Sequence, residues 1–400
     1  MKKTFLYKMK GAVALTLAMT MFCPQVFAAE ALSAEEQGVQ AAPVVEVTEE
    51  VLAQQLPALT VEEAIDLAIK HSPDLQDIED SLEMLKDNDE DIYDRYGSVN
   101  VNVTDHTKWL EDGYHALYKA VFDIEQGLKQ AKLGRELQEM ILEVTVKTYF
   151  TTIISIEDGL ELAKESAAMQ QKTYLQGYTK YRLGMLSKYQ LEQLKVAAQK
   201  AQDSVAQTEA TLEQMYMTFN DLIGKKAEDR FDFVYDVTFE PYEMETTMEM
   251  YIHDKMNDDI MLKMQELTVE SAKFARNVRN YTNAQTTYDS DKLTYDQKKR
   301  ALRVAKDEKE TLIRNTYLQI KSLETEYSSA QADLAKAEAD LRATQLSYQA
   351  GAVTKMAVQG AEMAVTVAQN AVKSIIYEHD MLIYKFENPS LLSNATGAAQ

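Results

Sequence analysis

Residues that interrupt helices are almost missing from the centre of this chain. Between Pro73 and Pro389 the only proline is Pro241, and no glycine lies between Gly224 and Gly351. A sheet protein needs a turn every ten residues or so, and turns draw on Gly and Pro. That excludes an all-β fold, and an α/β fold built from many short crossovers. Disorder is excluded too, because 22 Tyr, 11 Phe and regular apolar spacing run through most of the 400 residues. The formal charge of −22 argues against nucleic acid as a partner, since its phosphates would repel this chain.

One design, written twice, fills the uninterrupted stretches. Tyr181-Arg182-Leu183-Gly184-Met185-Leu186-Ser187-Lys188 matches Tyr348-Gln349-Ala350-Gly351-Ala352-Val353-Thr354-Lys355 at an offset of 167. Both read Tyr-x-x-Gly-x-apolar-Ser/Thr-Lys. After the first copy, apolar spacing falls on Leu191, Leu194, Ala198, Ala201, Val205, Thr208, Leu212, Met215 and Phe219. The same offset gives Val358, Ala361, Val365, Ala368, Val372, Ile375, His379, Leu382 and Phe386. Steps of three and four make a heptad seam. Each repeat is therefore expected to be a long helix, a tight turn at a glycine, and a second long helix running back. In the first repeat the outgoing helix is expected from about Tyr114 to Leu183, and the return from Ser187 to Ile223. The glycine suits the left-handed position that ends a helix, and Ser187 or Thr354 can cap the next one. Apolar residues off the seam, such as Val196, Met217, Val367 and Ile376, need neighbours. These lie either within one bundle or between subunits of a ring.

The ends of the chain read differently. Residues 1–28 have the form of a cleaved signal peptide: basic Lys2, Lys3, Lys8 and Lys10, an apolar run from Gly11 to Phe22, and small residues ahead of Ala29. Cleavage there removes Cys23, the only cysteine, and lowers the charge from −22 to −26. Residues 29–58 read as a flexible acidic leader, 59–224 as the first hairpin repeat, and 225–247 as a linker around Pro241. Residues 248–388 are the second repeat and 389–400 a disordered tail. No later run of 18 apolar residues offers a transmembrane helix.

Two further stretches carry a resemblance. Leu59-Thr60-Val61-Glu62-Glu63-Ala64-Ile65-Asp66-Leu67-Ala68-Ile69, followed by Ser72-Pro73-Asp74-Leu75, resembles the opening helix and Asn-Pro-x-Leu segment of the TolC family of outer-membrane efflux proteins. Ser72 stands where that family usually has Asn. Phe122-Asp123 resembles the start of the family's long helix, and the two glycine turns resemble its hairpin tips. The resemblance covers about residues 59–388. It implies an all-α protomer of two repeated long antiparallel coiled-coil hairpins, three of which would close a hollow α-barrel. It also implies a homotrimer in the cell envelope, at the outer membrane. The tips Gly184, Met185, Leu186, Ser187, Gly351, Ala352, Val353 and Thr354 would dock a periplasmic adaptor, with energy supplied by an inner-membrane pump.

The chain departs from that pattern in two places. The family's membrane strands should fall near residues 95–113 and 276–299. Only Ser98 to Thr104 alternates in the first window, and the second has no apolar face that lipid would accept. The expectation is that the membrane barrel is missing, with little or no β-structure, and that helix continues through at least the second window. Acidic residues that ring the pore in some members, six and nine places after the second tip glycine, are replaced by Ala357 and Gly360; the first tip has Gln190 and Gln193. A close helix approach would be one reason to keep Gly360.

Chemistry is not expected. His71, His106, His115, His253 and His379 show no ligand spacing, and no nucleophile elbow, phosphate loop or zinc signature is present. The acidic runs Asp87 to Asp91 and Asp254 to Asp259 read as solvated helix faces, since neither has the glycine of a calcium loop. His379, on the seam, reads as a packed core group. The reading is a non-enzymatic conduit component without cofactor or metal. The alternative is a structural coiled-coil scaffold of the envelope.

Overall fold

A computed structural model describes residues 56–96, 108–278 and 287–392. The signal peptide, most of the leader, the Ser98–Thr104 stretch and residues 393–400 lie outside the described residues. Within them the chain is almost entirely helical.

A short strand, β1 (Ala58–Thr60), leads into α1 (Val61–His71). Thr60 caps that helix: its side chain accepts the Glu63 N–H, and the Glu63 carboxylate accepts the Thr60 N–H. α1 stops at Ser72, and α2 (Pro73–Tyr96) begins at once. Proline disfavours a helical residue before it yet fits the first helical position. Ser72 is extended (ψ 116°), and its hydroxyl accepts the Leu75 N–H at 3.3 Å. α3 (Lys108–Arg182) then runs for 75 residues, roughly 110 Å, and α4 (Lys188–Leu222) returns along it.

The second half repeats this plan. β2 (Asp232–Val234) pairs in parallel with β1, and α5 (Met248–Asp258) and α6 (Ile260–Asn277) follow. α7 (Tyr288–Gln349) is the long helix and α8 (Lys355–Glu387) its return. The joint between α5 and α6 copies the earlier one. Asp259 is extended, and its carboxylate accepts the Leu262 N–H at 2.8 Å. The 167-residue offset carries into the cores: Val146, Ile153 and Phe219 match Ile313, Ile320 and Phe386, and all six are fully buried. One core gathers α1, α3, α4 and Phe231; the other gathers α5, α7 and α8, with Tyr251 stacked on Phe386 at 4.6 Å.

The helices form an open layer. On the half away from the turns the order is α2, α3, α6, α7; on the turn half it is α4, α3, α8, α7. α2 and α4 therefore make one free edge and α7 the other. Side chains on α3 and α8 join the two repeats, through Lys373 with Asp158 at 2.7 Å and Tyr384 with Glu143 at 2.5 Å.

Four expectations need correction. α3 begins at Lys108, before Tyr114. Helix does not continue through residues 276–299, because α6 ends at Asn277 and Val278 and Thr287 are non-helical. Asp259 is not a solvated helix face: it is 1% exposed and pairs with buried Lys309 at 3.1 Å. The tail does not start disordered at 389. Pro389–Leu391 forms a 3-10 turn, with the Ser390 hydroxyl accepting the Ile260 N–H and Lys309 donating to the Pro389 and Leu392 carbonyls. The Lys309 ammonium, which needs three acceptors, organises that turn.

Candidate docking tips and open helix edges

Both hairpin turns are closed by glycine with positive φ, 72° at Gly184 and 74° at Gly351. Met185 N–H donates to the Lys180 carbonyl at 2.9 Å, and Ala352 N–H to Ser347 at 2.8 Å, the six-to-one bond of a Schellman end. Gly184 and Gly351 donate to Tyr181 and Tyr348, both at 2.9 Å. Ser187 and Gln190 form a reciprocal capping box at the return, while Thr354 caps α8 alone, because Ala357 stands at the third position. The two tips lie side by side, the first reaching about two helical turns further: Thr173 meets Met356 at 3.6 Å, and Lys172 meets Gln359 at 3.5 Å.

The tips differ in what they show. Met185 is 72% exposed, and so is Tyr189, with Leu183 at 70%. Leu186 is half-buried, turned toward Gly177 and Leu194, so it closes the hairpin. The second tip offers Ala352 and Thr354 exposed and Val353 half-buried. Leu183 and Tyr189 were missed by sequence reasoning. Their signal was available, since each is a large apolar or aromatic residue within five positions of a turn glycine.

Each free edge carries a second heptad stripe. On α4, exposed Tyr189, Val196 and Met217 stand at multiples of seven. On α7, Val304, Leu318 and Leu346 do the same. These stripes have no partner among the described residues.

At the level of the cores, tyrosines meet carboxylates. Tyr216 donates to Glu157 at 2.6 Å, and Tyr235 donates to Asp380. Burial, then the carboxylates, push these phenols well above their usual range, and burial also raises Glu157. A phenol so raised stays a hydrogen-bond donor; these pairs fasten α4 to α3 and the segment after β2 to α8.

No protein-family model matches the chain, and no curated protein matches it. Solved structures do. The outer membrane protein VceC from Vibrio cholerae shares 12% identity at TM-score 0.55, over 82% of this chain and 96% of that one. The CmeC outer membrane channel of Campylobacter jejuni shares 14% at 0.57, over 82% and 86%. CusC, studied for transmembrane channel formation, shares 14% at 0.56, over 82% and 91%. The fold is TolC-like.

Within that TolC-like fold, the described helices leave eleven residues between Tyr96 and Lys108 and ten between Asn277 and Tyr288. A lipid-crossing β-hairpin needs two strands of ~9–11 residues and a turn. No described helix is long and apolar enough to cross a membrane. A side chain at Gly360 would meet nothing within 4 Å, so no close helix approach within one chain accounts for that glycine.

Proposed function

We propose that this chain is one stave of a passive conduit wall in the cell envelope. Copies associate side by side, three by the family resemblance, with α4 of one beside the tip half of α7 of the next. The paired tips dock an adaptor that links the wall to an inner-membrane pump, chiefly through Leu183, Met185 and Tyr189. The observation that carries this reading is the fold shared with outer membrane channels across 82% of the chain, together with two apolar stripes on opposite free edges. A layer with unlike complementary edges closes into a ring or runs on as a filament.

The short connections between α2 and α3 and between α6 and α7 favour a wall that does not itself cross lipid. They also support the second reading, an envelope scaffold without transport. One experiment separates the two. Mass measurement of the purified exported protein, with the adaptor subunit of the same cell added, should give a closed oligomer that captures adaptor. Leu183→Asp with Met185→Asp should abolish capture and leave the oligomer mass unchanged. A monomer at every concentration, or capture indifferent to the tips, rejects the conduit.

A further inference from the structure

The half of the molecule away from the tips carries charge that composition does not explain. On α2, Asp80, Glu83, Asp87 and Glu90 are exposed at steps of three and four, and none has an ion-pair partner among the described residues. Lys298, Lys299, Arg300 and Arg303 on α7 are likewise exposed and unpaired. A solvated helix face ordinarily mixes signs, because an acid four residues before a base stabilises the helix and like charges at that spacing destabilise it. Glu83 and Asp87 repel at i,i+4, and so do Lys299 and Arg303, although Lys86 stands beside the acidic stripe and Asp296 and Asp307 stand one turn either side of the basic one. The basic stripe is the more telling, since it stands in a chain of formal charge −22.

The two stripes lie at the same height on opposite edges. A chain of contacts crosses the layer and fixes this. Leu85 of α2 lies against Gly127 of α3. Gln126 of α3 donates to Glu270 of α6 at 3.4 Å, and one turn away Glu266 of α6 meets Lys306 of α7 at 2.7 Å. Nearer the end, Arg276 of α6 sits over the Tyr295 ring of α7. Counting along the helices from these rungs, α2 residues 83–90 are level with α7 residues of about 297–304. α2 and α7 are the two outermost helices on this half, so the stripes cannot meet within one chain.

We infer that the acidic α2 edge, Asp80, Glu83, Asp87 and Glu90, docks on the basic α7 edge, Lys299, Arg300 and Arg303, of a second copy of this chain. The inference rests on the side-by-side reading above and deepens it. The wall then has two stretches of seam: α4 beside α7 near the tips, and an electrostatic one between α2 and α7 near the other end. Opposed stripes, one mostly acidic and one mostly basic, favour one direction, because a reversed pairing brings like charges together. Exposed pairs are screened by salt, so the seam weakens as ionic strength rises.

The test is the assembly equilibrium of the purified exported protein, followed by sedimentation at low and high NaCl. Wild-type dissociation should strengthen about tenfold or more between roughly 50 mM and 500 mM salt. Asp80→Lys, Glu83→Lys and Asp87→Lys together should disrupt assembly, as should Lys299→Glu, Arg300→Glu and Arg303→Glu. A chain carrying all six reversals should assemble again, which a mere folding defect would not allow. Circular dichroism reports whether each triple variant keeps its helix content. If wild type assembles but both triple variants do so equally well at every salt, the electrostatic seam is overturned and the conduit reading stands. A wild type that never assembles overturns both.

Discussion

Lys309 is buried, and its ammonium is satisfied by two backbone carbonyls of the 389–392 segment and by the Asp259 carboxylate. Replacing Lys309 with Met would leave Asp259 charged and uncompensated in the interior, at a cost of about 3–5 kcal/mol. Urea unfolding should show that loss; an unchanged midpoint would mean the pair is dispensable. His379 is a second buried polar residue, 2% exposed, with its ring 4.7 Å from that of Phe239. Its Nε2 lies 3.8 Å from Glu324 and makes no hydrogen bond. Burial holds its pKa below the usual imidazole value, with Glu324 opposing in part and Lys321 adding to the depression. The unfolded chain then takes up a proton near pH ~6.5 that the folded chain resists. The stability this provides is complete above that pH and is lost as pH falls through it toward the folded value. Melting temperature should therefore decline on acidification from about pH 7.5 to 5.5, and His379→Gln should flatten the decline. An equal slope in the variant would assign the effect elsewhere.

The helical hairpin is the element whose signals are most local. Gly184 and Gly351 hold positive φ with open space around them, so a side chain there meets a backbone cost and no clash. A left-handed residue costs about 1–2 kcal/mol, and a β-branched one has the least tolerance for it. Gly184→Val and Gly351→Val should each speed hydrogen exchange within a turn or two of the tip by roughly 5–30-fold. Gly159→Ala, inside α3 and equally open, should not; equal effects at all three would remove the turn argument. This locality explains what could be read beforehand. The glycine, the cap and the heptad steps act within a few residues, so both hairpins, their ends and the return helices were legible from residues alone. The α5–α6 joint was not, because Asp259 caps its helix from inside an acidic run that looks like a solvated face. Nor was the turn at 389–391, which exists only because Lys309, 80 residues earlier, supplies the donors. At the candidate site the turn residues were legible, but their exposure was not: Leu186 is half-buried against the hairpin, while Leu183 and Tyr189 beside it are exposed.

At the scale of the whole molecule, the end away from the tips decides how the protein meets a membrane. There α3 and α6 are held together by Phe122 stacked on Phe274 at 3.9 Å and by His115 bonded to the Val278 carbonyl at 2.8 Å. α3 and α6 are therefore clasped right up to the ten-residue connection between α6 and α7. A strand that crosses lipid takes ~9–11 residues, and a barrel leaves no edge unpaired, so each copy would have to return as well as cross. Connections of eleven and ten residues are shorter than two such strands and a turn. The protein should accordingly leave washed membranes on alkaline extraction and keep its mass without detergent. Proteins whose strands traverse the bilayer resist that treatment, because withdrawing their backbone from hydrocarbon breaks a closed hydrogen-bonded sheet. Retention in the pellet after alkali, with release only by detergent, would show that this end enters lipid despite its length. In that event the charged α2 and α7 edges would lie beside the headgroups, and the assembly's dependence on salt would follow lipid charge as well as neighbour charge.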